Sequence, residues 1–579
     1  QVFLTGKKKS IPFFDGDRLK VGLILKGPLV VITKTNTILV EPFWELEITK
    51  TNDFLLRRKK DIEIQTPQTT MSAEIELFSN QIVSVAEQMG VIFQKTARSV
   101  NIKERLDLSC AVFDEDGCLL ANAPHIPVHL GSMSESVKNI IQNFQAKIKP
   151  GDVYMTNDPF NGGTHLPDLT TVTPVFVNQR RAPLFFVGSR GHHADIGGIT
   201  PGSMPATSTR IEQEGVLLEN LQIVRENKFQ ENFVRDTLTK HQHPVRNIEN
   251  NVADIKASLA ANKRGVDELL ELTKSYGIEK TRKYIDRVKN QGEQSVSDLI
   301  KSLSPGSSEK LLDGGETIKV DISIDKKESL ITIDFEGTSG QTNNNLNTPI
   351  SITKASVLYV LRTLIKKEIP LNEGCLRPVR LIIPEGSILN PSHPAAVVAG
   401  NVETSQNIVD CLYEAFGQLA ASQGTMNNIT FGNEKYQYYE TLCGGTGAGP
   451  HFNGCDAVHC HMTNSRLTDP EVLEARFPVM LCEFAIRPKS GGSGQFKGGN
   501  GVTRKIQFFE KMMVSILSSH RINPPAGIHG GMNGQIGQNK IVSKDKETFN
   551  LKGIDQIIVQ TGDTLWIETP GGGGYGAPK

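Results

Sequence analysis

Cysteine is scarce in this chain: eight residues among 579, with no CxxC pair and no ladder of short spacings. That excludes a disulfide-stapled scaffold and reads as reduced thiols that mostly fill cores. Neither sign of charge dominates, since Lys+Arg and Asp+Glu both number 63. Without a basic excess to follow a phosphate backbone, nucleic acid is not an expected partner. Long apolar runs are also missing. The most apolar stretch near the start, residues 21–32, is interrupted by Lys26 and falls well short of the roughly 20 residues of a membrane helix. No signal-peptide pattern is visible, so a cytoplasmic protein with no membrane partner is expected. None of the glycine loops fits a lysine-bearing phosphate loop or a strand–glycine–helix dinucleotide unit, so ATP turnover is not expected from these residues alone.

What is present exceeds a single core, because cores stop growing at about 250–300 residues. The first residue is Gln1, and strand-like segments follow at 21–25, 29–33 and 37–40, with Lys26-Gly27-Pro28 as a turn. This opening reads as the end of something larger. A charged patch from Arg57 to Asp61 and a Thr/Gln/Pro stretch at 65–70 read as a linker. The expected organisation is a β module at 1–60, a linker at 61–70 and a larger region at 71–579 with a further boundary near 305–315.

Within that region Ile75, Phe78, Ile82, Val85, Ala86 and Met89 recur at spacings of three and four and predict an amphipathic helix with a break near Gly90. Residues 109–113 and 118–121 flank an Asp-Gly turn and predict a hairpin. Further strands are expected at 153–155, 169–177, 184–187, 317–324 and 330–335, and helices at 247–272, 355–365 and 405–421. The last third is rich in glycine, which we read as turns where the backbone needs positive φ or close approach. The fold class is α+β: multidomain, with mixed sheets and helices, a glycine-rich β-rich C-terminal part and a small N-terminal β module.

The strongest chemical constellation is Asn157-Asp-Pro-Phe-Asn-Gly-Gly-Thr-His-Leu-Pro-Asp168 followed by Gly191-His-His-Ala-Asp-Ile-Gly-Gly198, with Glu104 and Asp107 upstream. A divalent metal that keeps a position open for water takes imidazole and carboxylate ligands, and a His-x-x-Asp loop supplies one of each. His165 and Asp168 fit, and His192 or His193 with Glu104 would complete a set suited to manganese, zinc or ferrous iron. The bland alternative is that these residues cap loops and turns.

These segments carry a resemblance. The string Arg98-Ser-Val-Asn-Ile-Lys-Glu-Arg-Leu-Asp-Leu-Ser-Cys-Ala-Val-Phe-Asp114, the two segments above, Gly400-Asn-Val-Glu-Thr-Ser-Gln406, Asn372-Glu-Gly-Cys-Leu-Arg-Pro378, Ser490-Gly-Gly-Ser-Gly494 and Thr569-Pro-Gly-Gly-Gly-Gly-Tyr-Gly576 resemble the hydantoinase B family from Met71 onward. Leu25-Lys-Gly-Pro-Leu-Val-Val-Ile32 resembles the C-terminal β segment of the partner family, hydantoinase A. Fusion in that order is the arrangement of 5-oxoprolinases. The resemblance thus implies a hydrolase of cyclic amides, with pyroglutamate favoured over hydantoins or ketones. It also implies an upstream kinase-like half that binds ATP and phosphorylates the lactam, and a metal-assisted half here that hydrolyses the product. A hydantoin or N-methylhydantoin amidohydrolase, or an acetone or acetophenone carboxylase subunit, is the alternative. A small-molecule substrate and a homo-oligomer are expected.

Carried over by motif, the metal ligands are Glu104, His165, Asp168 and His192, with His192 preferred over His193. His129 sits where the family has a fixed histidine and is a candidate to orient substrate or shuttle a proton. Asp195 is a candidate to orient a ligand histidine. Glu403 is a catalytic candidate whose carboxylate could equally complement a helix start. Arg246 and Arg377 are candidates to hold a substrate carboxylate or phosphate.

Overall fold

The computed structural model describes residues 2–4, 7–59, 71–129, 131–178, 180–366 and 371–578, so the expected linker at 61–70 lies outside the described residues. The chain divides into two compact units, Gln1–Glu74 and Ile75–Lys579. In the first, two three-stranded sheets enclose a small core of Leu29, Val31, Val40, Leu46 and Ile48. One sheet comprises Phe13–Asp15, Leu29–Ile32 and Thr37–Val40; the other comprises Ile24–Lys26, Trp44–Ile48 and Phe54–Arg58.

The second unit is organised by a seven-stranded sheet. Its strands are β1 (Leu108–Asp114), β2 (Leu119–Asn122), β3 (Val153–Thr156), β4 (Asp168–Val175), β5 (Phe185–His192), β6 (Leu221–Arg225) and β7 (Lys228–Phe229), in the order β2-β1-β5-β4-β3-β6-β7. Strand β1 is buried along its whole length, because both faces of the sheet are covered. Cys110 and Val112 face helices α1 (Met71–Thr96) and α2 (Ile248–Tyr276), while Ala111 and Phe113 join the core shared with α4 (Ile350–Leu364), numbered after α3 (Ile278–Ser302). A strand buried on both faces reads as a nearly continuous apolar run. The expected break at Gly90 does not occur: α1 runs through it, and a Cβ there would lie 2.4 Å from His125 Cε1. The glycine provides close approach rather than a stop. Asn247 caps α2 by accepting from the Asn250 N–H.

After α3 comes a four-stranded sheet of Gly306–Leu311, Thr317–Asp325, Leu330–Asp334 and Val379–Ile382. The expected boundary at 305–315 marks this change of sheet but not a division between compact units. Val296, Ile300 and Leu303 before it share one core with Ile318, Val320 and Ile333 after it. A π-helical turn, Gly400–Thr404, leads into α5 (Ser405–Ala415), which ends six residues before the expected 421. Beyond it lie sheets of four and five strands.

Of the two roles expected for the glycine segments of the last third, close approach is the one shown by those that meet one another, which lie outside the positive-φ region. They stack backbone on backbone: the Gly499 N–H donates to the Thr446 carbonyl at 2.9 Å, the Gly572 N–H to Gly499 at 2.9 Å, and the Gly573 N–H to Ala421 at 2.8 Å. A Cβ on Gly572 would meet the Thr446 carbonyl at 2.0 Å, so any side chain would part the layers. No helix among the described residues is long and apolar enough to cross a membrane.

Candidate metal centre

The centre forms where β4 and β5 run out. Their antiparallel register pairs Asp168 directly with His192, and the turn before β4 places His165 three residues upstream, with the Asp168 N–H donating to the His165 carbonyl at 3.1 Å. Asn157 fixes that turn. Its amide donates to the carbonyls of Leu166 (2.8 Å) and Val216 (2.9 Å) and accepts from the Leu218 N–H (2.7 Å). The asparagine-rich string is thus a scaffold for the histidine that follows it.

His165 Nε2, His192 Nδ1 and Asp168 Oδ1 form a triangle with all three edges 3.2 Å. Metal ligands about 2.0–2.2 Å from one ion and spread over roughly tetrahedral or octahedral angles stand at about this separation. Among the described residues this is the one group of three His, Cys, Asp or Glu side chains whose ligand atoms converge. All three are at most 2% exposed. Burial alone would raise the Asp168 carboxyl, but the adjacent His165 and His129 overcome it and hold the group well below the usual carboxylate range. Burial lowers His192, partly offset by Asp168 and Asp107. A neutral imidazole beside a charged carboxylate is the state a metal requires.

His129 joins this group from the other side. Its Nε2 lies 3.2 Å from Asp168 Oδ2 and its Nδ1 2.8 Å from Ser109 Oγ, while the Thr164 hydroxyl donates to the same Asp168 Oδ2 at 2.6 Å. The Asn401 amide reaches within 3.3 Å of His165 Nδ1, and Asn401 Oδ1 is buried with no other partner. The nitrogen of that amide is the atom placed on Nδ1; exchanging the amide N and O would give the unpartnered Oδ1 the Nδ1–H to accept and would leave Nε2 as the bare lone pair, the outer-sphere arrangement that orients a ligand histidine. The Tyr439 ring stacks on His192 at 4.3 Å and 15°, and the Arg105 guanidinium covers the Tyr439 ring at 4.6 Å. His129, His165, Asp168, His192, Asn401 and Tyr439 line a small cavity, whose remaining wall combines the apolar Ile126, Val128, Met426 and Met462 with Asp107 and Thr463.

Glu104, expected as a fourth ligand, stands outside this cavity. It C-caps the short helix Val100–Lys103, and its carboxylate lies 4.0 Å from Arg476. The chain then reverses through Leu106, whose φ is +56°, so that Asp107 rather than Glu104 lines the cavity. His193 points elsewhere: its Nδ1 is 3.2 Å from the Asn251 amide. Asp195 and Arg246 pair with each other at 2.9 Å, and Asp195 also accepts the N–H groups of Gly197, Gly202 and Arg246. Neither borders the cavity, so the two expected functional groups form a buried brace for the loop after β5. Arg377 sits on the surface, paired with Glu293 at 2.9 Å.

Glu403 is fully buried on the π-helical turn. Its Oε1 accepts from the Met426 N–H (3.1 Å) and the Asn428 amide (3.2 Å), and burial pushes the carboxyl up to about 8. It stands behind the cavity wall, next to Met426. Sequence reasoning missed Tyr439 and Arg190. The latter is completely buried beneath Asp168, where it donates to Thr170, Ser132 and Ser136. Tyr439 lies far from any histidine of the motif strings, and Arg190, although only two residues before His192, falls just outside the Gly191–Gly198 segment read as chemical.

Residues 71–578 match the family model described as Hydantoinase B/oxoprolinase. A 5-oxoprolinase of Arabidopsis thaliana is 42% identical over 607 aligned positions, which cover 100% of this chain and 48% of that protein. Two solved structures share the fold. The ATP-dependent caprolactamase of Pseudomonas jessenii superposes with a TM-score of 0.79 at 23% identity, over 88% of this chain and 92% of its own. An acetone carboxylase gives 0.78 at 17% identity, over 86% and 75%. On the family match across most of its length, the chain belongs to the hydantoinase B/oxoprolinase family of enzymes.

Proposed function

We propose that this chain is the ring-opening half of an ATP-dependent hydrolase of 5-oxo-L-proline, acting on a lactam phosphorylated at a kinase-like half and releasing L-glutamate and phosphate. The observation that carries the reading is the triangle of His165, Asp168 and His192, set in a small cavity. The likeness to the Arabidopsis 5-oxoprolinase supports the substrate. That protein is about twice as long as this chain, which leaves room for a kinase-like half in one polypeptide.

An unstrained lactam resists water because its carbonyl carbon is a poor electrophile and its nitrogen a poor leaving group. Phosphorylation of the amide oxygen relieves the first problem; a proton on the nitrogen relieves the second. A divalent ion on the three donors would supply Lewis-acid polarisation and acidify water near neutral pH. His129, held between Ser109 and Asp168, is placed to keep a proton at the cavity wall and to deliver it to the departing ring nitrogen. Tyr439, whose phenol burial holds well above its usual value, remains a hydrogen-bond donor. The apolar wall of Ile126, Val128 and Met462 limits bulk water around an activated phosphate.

The test is ATP-dependent glutamate formation from pyroglutamate by the full fusion, beside hydantoin and acetone as rival substrates. Glutamate from pyroglutamate is expected. Turnover of hydantoin or acetone with none of pyroglutamate would reject the proposal.

A further inference from the structure

The π-helical turn Gly400–Thr404 borders the metal cavity through Asn401 and Val402, and the helix it leads into, α5, carries a second set of polar side chains that the proposed reaction leaves unused. Asn407, Asp410 and Glu414, spaced by three and four along one helical face, line a separate cavity together with Glu309, Lys310 and His520. At a rise of 1.5 Å per residue, Asp410 stands about 14 Å along the helix from Asn401.

Asp410 is 2% exposed and His520 9%. Asp410 Oδ1 accepts from the Ser422 N–H at 3.0 Å and lies 3.0 Å from His461 Nε2, whereas its Oδ2 is buried with no partner. The His520 Nδ1–H donates to the Asn523 carbonyl at 2.6 Å, which leaves Nε2 as a lone pair, also buried and also without a partner. The two atoms are neighbours: a Cβ on Gly424 would lie 2.1 Å from His520 Nε2 and 3.2 Å from Asp410 Oδ2. Two acceptors side by side with no donor between them are unfavourable, because each has given up water without replacing it. Lys310 does not supply the donor, being ion-paired with Glu414. The cavity lining holds three carboxylates, Glu309, Asp410 and Glu414, against one lysine. The missing component is therefore a cation that donates hydrogen bonds. Asp410 and His520 alone would give a metal ion only two protein ligands, and the three-ligand group lies elsewhere.

We propose that this second cavity binds the primary ammonium group of a small organic molecule, whose N–H groups donate to Asp410 Oδ2 and His520 Nε2. Opening any lactam creates such a group, since the ring nitrogen leaves as an amine that is protonated at neutral pH. The two cavities are joined by one continuous segment, with Asn401 and Val402 of the π-helical turn on the metal cavity and Asn407, Asp410 and Glu414 of α5 on the second, and by the loop from Ala421 to Met426. The ring-opened product is one source of the ammonium group, an assignment that rests on the lactam-hydrolase reading; an unrelated amine is the other. The site itself stands on its own geometry.

The test is calorimetric titration of the full chain with L-glutamate, n-propylamine and N-acetyl-L-glutamate, which lacks the ammonium. Saturable binding of L-glutamate or n-propylamine is expected, weakened at least 10-fold by Asp410→Asn and unchanged by His165→Ala. Ala526→Leu, which narrows the cavity without removing a buried charge, gives the same loss should Asp410→Asn misfold. Tighter glutamate identifies the product as the source, and tighter propylamine an unrelated amine. The inference is overturned if N-acetyl-L-glutamate binds as well as L-glutamate. It is equally overturned if binding is lost in His165→Ala but kept in Asp410→Asn and Ala526→Leu, or if neither amine binds. A fusion that hydrolyses pyroglutamate yet fails this titration keeps its proposed reaction and loses only the second site.

Discussion

Two clusters in this molecule draw on the same residue types and differ in what they can hold. Around Asp168, His165 and His192 both reach a single oxygen, Oδ1, each at 3.2 Å. Around Asp410 the imidazoles are divided: His461 lies on Oδ1, and His520 stands beside the unpartnered Oδ2. The cause is the backbone beneath them. Cross-strand register at the ends of β4 and β5 brings lone pairs to one point, whereas a helix-borne carboxylate met by two loops has its oxygens engaged separately. Composition does not make a metal site; convergence on one point does.

The largest expected effect would break that contrast outright. His165→Ala should lower bound divalent metal from about one ion per chain to near zero and reduce glutamate release by the fusion at least about 100-fold, because one of three protein ligands is gone. Asp410→Asn should leave metal content unchanged. Elemental analysis of both purified variants decides it, and equal metal loss in the two would erase the distinction drawn here. A smaller effect is expected at Asn401. Its replacement by Ala should weaken metal binding about 10- to 100-fold through loss of the partner that orients His165, measured by competition with a chelator.

Glu403 lies behind the wall of the first cavity and sharpens the comparison through pH. Its folded-state value of about 8 lies above that of an unfolded glutamate, near 4.3. The folded state therefore binds the extra proton, and stability falls as pH rises from about 4.3 to 8. Glu403→Gln should flatten this part of the profile, seen as a smaller drop in Tm between pH 5 and pH 8 than in the parent chain. An equal drop in both would show that the carboxyl is not held protonated. The smallest effect belongs to Arg377. Its exposed pair with Glu293 contributes at most about 1 kcal/mol, so Arg377→Ala should change neither metal content nor glutamate release, and a marked fall in either would return it to the site.

Much of this was legible in the sequence. The hairpin at Asp-Gly117 and the alternation from strand to helix follow from local chemistry, whereas the preference for His192 over His193 rests on the family resemblance; the structure brings His165, Asp168 and His192 together. Glu104, expected as a ligand, faces Arg476 instead; the positive φ at Leu106 that turns Asp107 rather than Glu104 to the cavity is one a leucine does not advertise. Asp195 and Arg246 resemble functional groups in isolation. Their mutual ion pair depends on the loop after β5 folding back on the start of α2, which no spacing reveals. Asp410 and His520 are 110 positions apart and belong to no motif; only tertiary packing sets them side by side.

The layered glycines bear on how the chain reaches this state. Thr446, Gly499 and Gly572 are joined by successive hydrogen bonds and the adjacent Gly573 is bonded to Ala421, a set that spans some 150 positions. Such closures carry a high entropic cost before any contact repays it, and they slow folding. On a ribosome, the layer between Thr446 and Gly499 has to wait for residues 569–576 before it is covered. The Gly573 N–H fastens to the Ala421 carbonyl beside the second cavity, so that cavity takes its final form only when the last glycines lock, making the glycine tail the clasp that completes it.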